Sequence, residues 1–141
     1  MNTSLTDNIY KDLKSYLFEK SKYNPSVVRK ALQQSKKFPL VTIIEENNSF
    51  SSGTLKYKSR EIIDSLYWEI NIYAIDKSFQ GKTISNAEIC DELKVLIDNI
   101  MSNRYKLTRL SCRPTPNLDQ NIYRITMRYT CNLFTNKNRI I

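Results

Sequence analysis

Histidine is absent from the 141 residues, and with it go the commonest general base and the commonest metal ligand among side chains. Serine–histidine and cysteine–histidine catalysis are therefore excluded. Glycine occurs twice, at Gly53 and Gly81, too rarely for a phosphate-cradling P-loop or a dinucleotide fingerprint, both of which need several glycines at fixed spacing. The three cysteines, Cys90, Cys112 and Cys131, are odd in number and form no C-x-x-C pair, so neither a disulfide framework nor a zinc knuckle is expected. They read as small apolar core residues. No run reaches the roughly 18 to 20 apolar residues of a membrane helix, and MNTSLTDNIYKDLK lacks the basic-then-apolar order of a signal peptide. The expectation is a protein made and used in the cytosol, with no cofactor, no metal site and no membrane contact.

What is present fits one folded unit. The length is that of a single ordinary domain, 1–141, and 40% hydrophobic with 26% charged residues is near the globular average. The net charge of +8 is unevenly spread: residues 1–60 carry +6, residues 61–100 carry −5 and residues 101–141 carry +7. Such a polar chain can set its acidic surface against a neighbour's basic one, or turn a basic face towards phosphate.

Leu5, Ile9, Leu13, Tyr16 and Leu17 recur at helical steps and predict an amphipathic first helix ending near Lys20. Asn24-Pro25 then looks like a cap followed by proline at the first helical position, predicting a short helical turn to about Gln34. FPLVTIIEE, from Phe38 to Glu46, predicts a strand, with NNSFSSG as a turn-rich loop and a further strand around Thr54 to Ser59. The clearest strand follows, where Leu66, Trp68, Ile70, Ile72 and Ala74 alternate with Tyr67, Glu69, Asn71 and Tyr73. Trp68 belongs to its core face. Ser85-Asn86-Ala87-Glu88 is a capping box in pattern, with the glutamate reaching back to the serine N–H. It opens a second helix with Ile89, Cys90, Leu93, Leu96, Ile97 and Ile100 on one side and Glu88, Asp91, Glu92 and Asp98 on the other.

Two late strands are expected, about Lys106 to Arg113 and Asn121 to Leu133, separated by a turn at Pro114 to Asn117. In the last one, Tyr123, Ile125, Met127, Tyr129, Cys131 and Leu133 share a face, and Arg124, Thr126, Arg128, Thr130 and Asn132 the other. With Arg109 and Arg113 the arginines make a candidate cationic stripe on the outer sheet face. The fold class is α+β, a single-domain sandwich of a mostly antiparallel sheet covered on one face by two main helices. Residues 135–141 read as a short mobile tail.

Two kinds of chemistry are weighed against this scaffold. Glu45, Glu46, Asp64 and Glu69 fall near strand ends, where carboxylates can collect magnesium as nucleases do, but their spacing is not diagnostic. Basic residues interleave with Tyr105, Tyr123 and Tyr129, a texture that suits nucleic acid; yet the tyrosines and arginines of the last strand lie on opposite faces, which makes the rings core residues. A small basic nucleic-acid-binding module remains an alternative.

The segments DNIYKDLKSYL, FPLVTIIEENNSF, REIIDSLYWEINIYAID, SNAEICDELKVLIDNIM and IYRITMRYTCNL together resemble bacteriophage tail terminator, or tail-completion, proteins. The likeness spans nearly the whole chain but lies in order and texture, with no signature motif. It implies a structural protein that forms a ring, typically a hexamer, on the finished tail tube, stops its polymerisation and presents a surface to the head connector. Its partners would be copies of itself, the tail tube protein and the connector, with possible non-specific contact to DNA passing through. It would be made in the host cytoplasm and end in the virion, at the tail end or neck. A head-completion or neck connector protein is the near alternative. Charge and periodicity, separately from the resemblance, nominate the subunit interface: Glu88, Asp91, Glu92 and Asp98 on one subunit, and Arg109, Arg113, Arg124 and Arg128 on the next. The competing use of the arginines is to line the ring's hole.

Overall fold

A computed structural model describes residues 3–29, 37–47, 66–115 and 121–131. The expected strand at 54–59 and the tail at 135–141 lie outside them. Helix α1, Thr3–Lys20, turns Ile9, Leu13 and Leu17 fully inward, with Leu5 and Tyr16 half-buried beside them. Each such burial contributes about 1.5–3 kcal/mol. The expected helix after Asn24-Pro25 is replaced, over its described part, by a strand. Asn24 takes φ 50°, a left-handed conformation asparagine tolerates, and Ser26–Arg29 forms β1. Pro25 lacks an N–H and so suits the residue before a strand; the first ladder bond comes from Ser26 N–H to Pro39 O at 2.9 Å.

Strand β2, Leu40–Asn47, runs parallel to β1, with Val27 opposite Val41. It is antiparallel to β3, Leu66–Ala74. As the alternation predicts, Leu66, Trp68, Ile70, Ile72 and Ala74 are all buried. A hairpin not anticipated from the sequence follows: β4, Lys77–Phe79, pairs with β5, Lys82–Ile84. Its two-residue turn, Gln80-Gly81, has φ of 53° and 80°, the paired positive values that a tight hairpin requires.

Helix α2, Asn86–Asp98, starts at the N-cap Ser85, whose hydroxyl accepts from Glu88 N–H at 3.2 Å. Among the described residues the glutamate makes no return bond to Ser85; instead the Asp76 carboxylate accepts from Asn86 N–H at 2.8 Å. Ile89, Cys90, Leu93 and Ile97 are buried, and Leu96 is half-buried. The helix continues as a π-helical segment, Asn99–Arg104, in which wider winding keeps Ile100 and Met101 in the core. Strands β6, Thr108–Pro114, and β7, Tyr123–Thr130, complete a five-stranded sheet of order β1-β2-β3-β7-β6. Every pairing in it is antiparallel except β1 with β2. Part of the expected turn at Pro114 to Asn117 falls beyond the described residues.

Both helices lie on one sheet face. Trp68 Nε1 donates to Thr6 Oγ1 of α1 at 3.1 Å, and Thr6 in turn donates to Glu45 of β2. Arg29 of β1 pairs with Asp7 of α1. The architecture is the α+β layering expected, with a mixed, mostly antiparallel sheet and helices on one side.

Candidate functional site: an arginine groove on the sheet face opposite the helices

Register places the polar side chains of three strands in rows on the face turned away from the helices. Asn71 stands opposite Thr126, and Thr126 opposite Arg113; Glu69 stands opposite Arg128, and Arg128 opposite Ser111; Tyr73 faces Arg124. Together with Pro114 and Thr115, most of these side chains line a groove of about 660 Å³. Its floor is bonded together. Asn71 is 1% exposed, and its Oδ1 accepts from Thr126 Oγ1 at 2.7 Å and from Arg124 Nε at 3.2 Å. Its Nδ2 donates to Glu69 Oε2 at 3.0 Å, while Arg128 reaches Glu69 Oε1 at 2.8 Å. Thr115 Oγ1 donates to Thr126 Oγ1 at 2.6 Å.

These bonds fix the direction of two guanidinium groups without consuming them. Arg124 lies 5.3 Å from the centre of the Tyr73 ring and donates through Nε, leaving its terminal nitrogens for a ligand. Arg128 keeps one half of its fork. Arg113 is exposed and, among the described residues, has no bonded partner. Three cations against Glu69 leave the groove with an excess of two positive charges, on a floor that is already ordered.

Of the eight interface candidates, the structure gathers Arg113, Arg124 and Arg128 and separates Arg109. A β-bulge after Arg109 is the reason. Arg109 pairs with Tyr129, but Ser111 pairs with Arg128, so Leu110 is an extra residue and the side-chain phase switches there. Arg109 consequently lies on the helix side, 3.6 Å from Asp98. Asp98 is corrected with it: it is no part of an outward acidic face, since its Oδ1 also accepts from Tyr129 OH at 2.6 Å and Ser102 Oγ at 3.0 Å. Burial first, and then the bond to Asp98, push the Tyr129 phenol well above its ordinary pKa, although nearby Arg109 opposes this.

The remaining acids stand on the outer side of α2, exposed, and two have partners within the chain. Asp91 lies 3.6 Å from Lys94, and Glu92 accepts from Tyr23 OH at 3.1 Å. The carboxylates weighed for magnesium form no cluster among the described residues: Glu45 is opposite Trp68 on the helix side, while Glu46, opposite Tyr67, and Glu69 are on the groove side. Asp64 lies outside the described residues. The cysteines divide, with Cys90 fully buried and Cys112 and Cys131 half-buried. Burial pushes the Cys90 thiol up to about 12.

Sequence reasoning missed the groove floor. Asn71 carries a signal, as a short amide within the apolar strand LYWEINIYA, but its bonds to β7 depend on a register that only the fold supplies. Neither a protein-family model nor a curated protein matches this sequence.

Proposed function

We propose that this chain is a phage tail assembly protein of the tail-terminator kind: a non-catalytic subunit that closes into a ring, caps the finished tube and offers a surface to the head connector. The observation that carries the reading is the coherence of the five resembling segments. Their described parts become α1, β2, β3, α2 with its π-helical continuation, and β7, and they share one core. A closed ring needs two unlike patches that meet head to tail. The sheet supports this with unlike ends, the four-residue β1 and the longer, bulged β6, where Leu110 is 52% exposed.

In this reading the ring, typically hexameric, meets the tail tube protein on one side and the connector on the other, first in the host cytoplasm and then in the virion. Electron microscopy of the purified chain tests it. Rings with a central hole are expected; particles that remain monomeric at high concentration, and also when mixed with tube protein, would contradict it.

A further inference from the structure

We propose that the groove walled by Arg113, Arg124 and Arg128 is a binding site for the phosphate backbone of duplex nucleic acid. It stands on the groove's own geometry and does not require ring formation. Guanidinium groups match phosphate oxygens through paired N–H donors, and a fork already held in place loses less freedom on binding. Asn71 and Glu69 hold Arg124 and Arg128 in that way, while Arg113 supplies a fork with no bonded partner among the described residues. Arg124 and Arg128 are four residues apart on one strand face, so their backbones are separated by about 14 Å. An elongated run of phosphates fits that span better than one small anion.

Two observations decide between ligand classes. The Tyr73 ring beside the groove is engaged by Arg124, and stacking on exposed rings is what single-stranded binders rely on; backbone contact to a duplex needs none. The acidic face of a second copy is the rival occupant. Asp98 is turned to Arg109 and away from that face, and Asp91 and Glu92 each hold a partner in their own chain, so a second copy would have to share or break those contacts to meet the three arginines, whereas a phosphate backbone brings unengaged oxygens.

The test is fluorescence anisotropy of the full chain with a short labelled duplex of arbitrary sequence, titrated at several salt concentrations. Each phosphate contact contributes a slope of about −0.9 in log affinity against log salt, or about a 3.5-fold loss between 50 and 200 mM. Arg113→Gln is expected to make the slope shallower by about 0.9, and Arg124→Gln with Arg128→Gln by roughly twice that. Lys11→Gln, on the exposed side of α1, is expected to leave it unchanged. Arg113 holds no other group in place, so its variant keeps the wild-type melting temperature. The proposal is overturned if the wild type shows no salt-sensitive duplex binding, or if Lys11→Gln has the same effect as Arg113→Gln. Stronger binding to a single-stranded oligonucleotide or to polyglutamate than to duplex overturns it as well. Ring formation can fail without touching any of these readouts.

Discussion

Trp68 is fully buried in β3, and its indole N–H is satisfied by Thr6, whose hydroxyl proton goes to Glu45. One side chain thus combines a large apolar contact with a tie between β3, α1 and β2. Trp68→Ala is expected to destabilise the protein by about 3–5 kcal/mol, and Trp68→Phe, which loses the bond and part of the ring volume, by about 1–2 kcal/mol. Urea unfolding midpoints measure both, and an unchanged midpoint for Trp68→Ala would show that the ring is not a core group. The opposite case is Thr42, 1% exposed with its hydroxyl bonded to no partner among the described residues. A buried unpaired hydroxyl carries a desolvation penalty of about 1–3 kcal/mol. Thr42→Val keeps the β-branched shape that a strand favours and is expected to raise stability by about 1 kcal/mol. A lower midpoint would mean that the hydroxyl is satisfied after all.

Three phenols hold elements together by donating to carboxylates: Tyr23 before β1 to Glu92 on α2, Tyr105 after the π-helical segment to Asp12 on α1, and Tyr129 on β7 to Asp98 on α2. Burial, then these acceptors, raise Tyr23 and Tyr105 to about 12, and Tyr129 further. The unfolded chain loses those protons near 10, so the folded state binds more protons in the window above it. The contribution is complete below about pH 10 and is lost as pH rises through the folded values. Absorbance titration at alkaline pH should show Tyr23, Tyr105 and Tyr129 ionising late, together with loss of folded signal; ionisation of these three at their unfolded values while the chain is still folded would disprove the tethers. The same elements show what a local pattern can carry. β3 and α2 were legible because five or more apolar residues repeat at one period. β1 was not, because SVVR is too short to display a period and Asn-Pro marks turns as well as helix starts. Its strand character comes from pairing with β2, beyond any local window. Arg124 and Arg128 were placed on the correct face by simple alternation, but Arg109 was not, since one unpaired residue at Leu110 inverts the phase.

At the scale of the molecule, the charge asymmetry does not resolve, among the described residues, into the two sets of four expected from the sequence, since Arg109 and Asp98 pair with each other. The basic segment at 101–141 contributes the groove, while the acidic stretch at 61–100 has Glu69, Asp91, Glu92 and Asp98 engaged within the chain. Partly exposed ion pairs contribute only about 0–1 kcal/mol each, so even a full set of intersubunit pairs would leave most of a ring's affinity to apolar contact. The bulged β6 edge offers such a contact at Leu110, and the bulge itself discourages backbone pairing there, so in the proposed ring association at that edge would proceed through side chains. Leu110→Asp is therefore expected to reduce the proposed ring to smaller species in light-scattering mass measurements. Arg113→Glu and Glu88→Lys, each alone, are expected to leave the mass unchanged at equal protein and salt concentration. If instead each reversal lowers the mass and the double variant restores it, the groove meets the acidic helix of a neighbouring subunit, and the arginines serve assembly in place of phosphate.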